Sequence, residues 1–213
     1  MTNNEHVEAL NDIRKMMKRS SRFLSLSGLS GVFAGLYALG GAWVAYTWQI
    51  EYLKRFFLNR QEEYRDQLDM EFFAKFGILA LVILSLSLAT GLFFSAKKAK
   101  QAGQKLLDHG AKLLLANLAV PLFAGGAFCL LLILRGDILL VAPALLIFYG
   151  ISLLAAGKYT LDEVRYLGIC EVVLGLINGF FFLGEGLLFW AIGFGVLHIV
   201  YGSLMWNKYD RVK

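Results

Sequence analysis

The chain has 213 residues, 58% of them hydrophobic and only 17% charged, whereas a soluble domain carries about 25% charged residues. This composition, with a mean hydropathy of +0.60, excludes a soluble globular domain and calls for lipid as the solvent. The net charge of +5 does not signal nucleic acid, because the basic residues collect in alternate gaps between apolar runs.

Residues 5–19 come first, and their pattern predicts an amphipathic helix within a cytoplasmic segment 1–22. Val7, Leu10, Ile13 and Met17 share one face, and Arg14, Lys15 and Lys18 the other. Such a helix lies in the plane of the inner leaflet or docks a cytoplasmic partner. The first apolar run, Phe23–Trp48, is too long for the apolar core of a signal peptide and reads as an uncleaved span. Ser27, Gly31 and Gly35 recur along it at four-residue intervals, with Ala34, Ala38 and Ala42 on the next row. Small residues at this spacing let helix backbones approach closely in lipid. The expectation is tight bundle packing, with a homodimer seam as the alternative.

Gln49–Glu71 mixes acids and bases with Tyr52, Phe56, Phe57, Tyr64 and Leu68 at near-helical spacing. The flanking helices are expected to extend beyond the membrane here and form a small cap. Gly77–Ala96 is the second span, with Ser87, Gly91 and Ser95 as its seam. Lys97–Lys112 is rich in Lys and Ala and is predicted helical. Leu113–Leu134, the third span, places Asn117, Pro121, Gly125 and Cys129 on one line. Pro121 takes the hydrogen-bond partner from the Asn117 carbonyl. The resulting polar face either lines a cavity or is knit to a neighbouring helix by the Asn117 amide.

Ile138–Ala156, Tyr166–Leu183 and Leu187–Trp206 complete six spans. Continuous apolar runs of roughly 20 residues predict helices rather than barrel strands. The fold class is therefore all-α: one polytopic membrane domain over 1–213, a bundle of six transmembrane helices plus the N-terminal amphipathic helix. Of the 21 Lys and Arg, all but Lys54, Arg55, Arg60, Arg65, Lys75 and Arg135 fall on the side of the termini. The positive-inside rule makes both termini cytoplasmic and anionic lipid a partner at that face. Cys129 and Cys170 fall at opposite depths and read as small fillers. A faint repeat relates spans three and four to five and six, matching Gly136-Asp137 with Gly184-Glu185, Tyr149-Gly150 with Tyr201-Gly202, and Lys158-Tyr159 with Lys208-Tyr209.

Glu171 carries the most information of any residue, because an acid inside a span is a functional-site hypothesis by default. His198 is the one histidine inside a span. Both are equally far from the tip between spans five and six, so antiparallel helices hold them at one depth. Gly168, Gly175 and Asn178 share the Glu171 face, while Gly195 and Gly202 share that of His198. Tyr201 and Cys170 are close in sequence. The candidate polar site is thus Glu171, His198, Asn178, Asn117 and Tyr201. The pair admits three roles: a structural contact, a titratable pair in a transport path, or orienter and base to Ser30 as a nucleophile. One intramembrane histidine supplies neither paired haem ligands nor a zinc site, and His6 and His109 are isolated, so no cofactor or metal is expected.

Gly28-Leu29-Ser30-Gly31-Val32, continuing through Tyr37-Ala38-Leu39-Gly40, resembles the serine-bearing helix of rhomboid intramembrane proteases. That family sets a serine in Gly-x-Ser-Gly against a histidine on a later helix, so the resemblance implies a serine hydrolase with Ser30 and His198. The likeness covers about a dozen residues, and here the serine lies on span one. The run Ser20-Ser21-Arg22-Phe23-Leu24-Ser25-Leu26-Ser27-Gly28-Leu29-Ser30-Gly31 resembles the first span of a group of uncharacterised bacterial inner-membrane proteins. It implies the bacterial inner membrane and no activity. The expected function is proton-linked or small-solute transport. The alternatives are a regulatory or scaffold subunit of a membrane complex, as homo-oligomer or with a partner protein, and an intramembrane serine hydrolase.

Overall fold

A computed structural model describes residues 22–58, 62–103 and 105–211, without the side chains of 56–58 and 62–70. The proposed amphipathic helix 5–19, and the side chains of Phe56, Phe57, Tyr64 and Leu68, lie outside the described residues. Those residues are all-α. The helices are α1 (Gly28–Leu58), α2 (Glu62–Gln101), α3 (His109–Arg135), α4 (Val141–Ala156) and α5 (Asp162–Phe181). The sixth, α6, runs over Leu183–Asp210 and passes through a π-helical stretch, Ala191–Leu197. Among the described residues, six helices are long and apolar enough to cross a membrane. Both ends of the described chain lie on one face, called here the terminal face, and the other is the far face.

Helices α1 and α2 extend at the far face as the sequence suggests. Tyr52 and Phe72 pack with ring centroids 4.4 Å apart, and Phe72 and Phe76 at 4.3 Å. Glu51–Arg55 and Glu71–Lys75 pairs flank these rings. The stretch 97–112 meets the helical expectation at its two ends and breaks between them. Helix α2 ends at Gln101, and α3 begins only at His109, where the Asp108 carboxylate accepts the Ala111 N–H at 2.7 Å. An aspartate at that position satisfies a free helix-start N–H and so sets the boundary.

The first span also starts later than expected. Residues 23–27 are not helical. Phe23 N–H donates to Tyr159 O at 2.7 Å, and Thr160 Oγ1 donates to Phe23 O at 2.9 Å. The Asp210 carboxylate receives the Gly28 N–H at 2.8 Å, the Ser27 hydroxyl at 2.9 Å and Lys98 Nζ at 2.5 Å. A residue at the end of α6 thus caps α1, and hydropathy cannot report such a boundary. Replacing Asp210 by Ala is expected to cost about 1–3 kcal/mol, from a lost cap and a broken, partly buried ion pair. Thermal unfolding in lipid checks this, and an unchanged midpoint would remove Asp210 as the organiser of this corner.

The glycine seam of α1 is covered by α6. A methyl on Gly31 would lie 3.1 Å from Gly202 Cα, and one on Gly35 would lie 2.5 Å from Gly195 O. The homodimer alternative for the Ser27/Gly31/Gly35 seam is thereby corrected, since the chain occupies that seam itself. Gly91 of α2 departs in the other direction. A methyl there would meet nothing within 4 Å, because α2 rests on α1 through other residues. Thr90 Oγ1 bonds Tyr37 Oη at 3.1 Å, and Phe94 stacks on Phe33 at 5.6 Å. Helices α2 and α3 lie at the two edges of the array. Helices α4, α5 and α6 enclose its centre.

Candidate functional site

Helix α5 is drawn against α4 by glycine. A methyl on Gly168 would lie 2.8 Å from Gly150 O, and one on Gly150 would lie 2.6 Å from Gly168 O. Gly175 is similarly close to Pro143 O, at 2.9 Å. The small faces of spans five and six therefore do not form a seam with each other. The α5 face packs on α4, and the Gly195/Gly202 face packs on α1.

Glu171 and His198 nonetheless meet. Glu171 has no exposed surface, and His198 is buried. Their closest approach is 3.6 Å, from His198 Nδ1 to Glu171 Oε1, which is longer than a hydrogen bond. The carboxyl fits because Gly193 stands opposite. A methyl on Gly193 would lie 2.5 Å from Glu171 Oε2. Gly193 belongs to the π-helical stretch of α6, a rare geometry that recurs at functional sites.

The partners of the imidazole fix its tautomer. Nδ1 lies 3.0 Å from Gly193 O. A carbonyl only accepts, so Nδ1 carries hydrogen and donates. Nε2 of the neutral ring is then an acceptor, and the Tyr149 hydroxyl donates to it at 2.8 Å. The Tyr149 ring lies 5.5 Å from the imidazole in a stacked arrangement, and Phe194 lies 5.9 Å from it on the same terms. Both Glu171 oxygens are buried with no hydrogen-bond partner among the described residues, as is Asn178 Oδ1. A buried acceptor without a partner is costly, so packing alone does not account for Glu171.

Tyr149 is the member that sequence reasoning missed. The sequence carries it only in the match of Tyr149-Gly150 with Tyr201-Gly202, which points to a repeat and not to a partner for His198. Replacing Tyr149 by Phe leaves Nε2 buried and unpaired, and stability should fall by about 1–3 kcal/mol. Denaturation of the reconstituted protein measures this. A neutral result would mean that the hydroxyl does not hold the ring.

The other candidates are dispersed. Tyr201 Oη lies 3.4 Å from Cys170 Sγ, closer to the terminal face. Asn178 sits two helical turns beyond Glu171 on the same wholly buried face, and its Nδ2 donates to Phe182 O at 2.6 Å. Asn117 turns back on its own helix, Nδ2 donating to Leu113 O at 2.8 Å. Among the described residues it knits no neighbouring helix, and it lies outside the Glu171 group. The Ser30 hydroxyl donates to Ser27 O at 2.5 Å, while both imidazole nitrogens of His198 are engaged elsewhere. The geometry does not assemble Ser30, His198 and Glu171 as nucleophile, base and orienter. Comparison with protein-family models, curated proteins and solved structures finds no match to the chain.

Proposed function

We propose that the protein is a proton-linked membrane transporter, seen with its proton-binding site closed. The observation that carries this reading is the Glu171 carboxyl, fully buried, with neither oxygen hydrogen-bonded among the described residues. A carboxylate kept for packing would be paired, since an unpaired charge in an apolar interior is expensive. A carboxyl that takes up and releases a proton must alternate between arrangements, and its neighbour permits that. His198 Nδ1–H now donates to Gly193 O at 3.0 Å, and the Glu171 carboxyl waits at 3.6 Å. A small rotation of the ring transfers that hydrogen bond from the carbonyl to a carboxylate. The proton on Glu171 and the bond on Gly193 belong to one state, and the ionised Glu171 bonded to His198 to the other.

The same reading places the protein in a bacterial inner membrane. Its basic face, with both termini, lies in the cytoplasm against anionic lipid. The test is proton movement in liposomes of the purified protein, followed with an entrapped pH-sensitive dye under an imposed pH gradient. Flux that vanishes in Glu171→Gln supports the reading; equal flux in the two proteins would sink it.

A second reading, a subunit of a membrane complex, draws on α2. That helix lies at the edge of the array, and a methyl on its Gly91 would meet nothing within 4 Å, which leaves room for a close helix partner. Recovery of only monomers after mild extraction counts against it.

A further inference from the structure

We propose that the cleft between α1 and α2 at the far face holds the headgroup of a lipid that joins a primary ammonium to a phosphodiester. The proposal rests on the membrane-spanning fold and is independent of the role of Glu171. Glu51 and Arg55 of α1 and Glu71 and Lys75 of α2 line the cleft, and Trp48, Tyr52 and Phe72 form its apolar wall. The four charges make two pairs, each within one helix, Glu51 with Arg55 and Glu71 with Lys75. All four side chains are between 45% and 56% exposed. Exposed pairs of this kind hold weakly, so each charge can share its partner with a ligand.

The balance of charge selects the ligand. A purely anionic headgroup would meet Arg55 and Lys75 but also two carboxylates, and a lone cation would meet the reverse. A zwitterion satisfies both signs. Arg55 and Lys75 donate to phosphate oxygens, and Glu51 and Glu71 accept from the ammonium. A primary ammonium brings three N–H donors to those carboxylates, and a quaternary one brings none. Quaternary ammonium is held by a cage of aromatic faces. Here the rings pack on one another instead, Tyr52 on Phe72 at 4.4 Å and Phe72 on Phe76 at 4.3 Å.

The position of the cleft makes the occupant a lipid. The span of α1, Gly28–Arg55, has 28 residues. That is a length of roughly 42 Å, and a bilayer with its headgroups measures about 40–45 Å. Arg55 and Glu71 stand at the far-face ends of their spans, at headgroup level. Ile78 and Val82 continue the face of Glu71 and Lys75 into the membrane at spacings of three and four residues. They are 64% and 48% exposed. An acyl chain descending from a headgroup in the cleft lies along them.

Photo-crosslinking in liposomes of the full chain tests the site. The probes are phosphatidylethanolamine, phosphatidylcholine and phosphatidylglycerol, each with a diazirine near the top of one acyl chain. At residues 71–82 the ethanolamine probe should react about fivefold or more above either of the others, because it alone pairs N–H donors with a phosphate. Helix α3, at the other edge of the array, should show no such preference. Equal yields at 71–82, or a higher yield from either other lipid, overturn the proposal. Glu51→Gln combined with Glu71→Gln should remove the preference. Asp137→Asn combined with Glu185→Gln, at two exposed acids of the same face, should leave it. A preference that survives the first pair, or is lost with the second, overturns the placement. Glycerophosphoethanolamine, the soluble headgroup, should not suppress the crosslink at a concentration where unlabelled lipid does. Equal suppression makes the ligand a soluble zwitterion and overturns the lipid. Should the Glu51 and Glu71 variant fail to fold, the three lipids on the unaltered chain decide.

Discussion

Glu171→Gln should abolish proton movement while the protein still folds, lowering flux about tenfold or more, which corresponds to about 1.4 kcal/mol or more on the barrier. The substitution keeps the shape of the side chain and removes its titratable proton. The space opposite is set by Gly193, where no side chain competes with the new amide. Glu171→Asp makes the complementary test. It keeps the proton but draws the carboxyl back by one methylene, away from a nitrogen already 3.6 Å off, so its flux should be intermediate. Circular dichroism and elution volume establish that each variant is folded. Wild-type flux in Glu171→Gln would return Glu171 to a packing role.

Gly202→Leu should prevent the bundle from assembling, and even Gly202→Ala should cost about 1–3 kcal/mol through overpacking. A methyl at this position would lie 2.6 Å from Val32 N and 2.7 Å from Gly28 O. Both are backbone atoms of α1 and cannot swing aside as a side chain would. Gly91→Ala is the matched comparison. It meets nothing within 4 Å, and exchanging a helix-interior glycine for alanine stabilises by roughly 0.5–1 kcal/mol. Thermal unfolding in lipid should move in opposite directions for the two alanine variants. A Gly202→Ala protein as stable as the parent would mean that the helices cross with room to spare.

The six helices were legible because the solvent imposes them: a lipid span of continuous apolar residues leaves few alternatives. The meeting of Glu171 and His198 was legible for a similar reason, since equal distances from a hairpin tip fix equal depth. What the sequence could not supply was which faces touch. Glycine seams state that something comes close, yet they do not name it, and Gly168 and Gly202 look alike while one meets α4 and the other α1. Tyr149 escaped notice because a tyrosine in an apolar span costs little and announces nothing. The start of α1 escaped because its cap, Asp210, comes from the other end of the described chain. The Lys-rich stretch 97–112 reads as helix by composition and is helical at both ends, and the break between them is set by one aspartate, Asp108, which caps α3.

The contact between α1 and α6 has a consequence for biosynthesis. Gly28 and Asp210, which caps it, are 182 residues apart. At a translation rate of 5–20 residues per second, the first helix waits roughly 10–40 s for the segment that covers it. Throughout that interval its glycine groove faces lipid, an insertase or a foreign helix. Closure therefore follows insertion rather than accompanying it. A ribosome stalled before α6 leaves an inserted intermediate whose open groove distinguishes it from the finished protein.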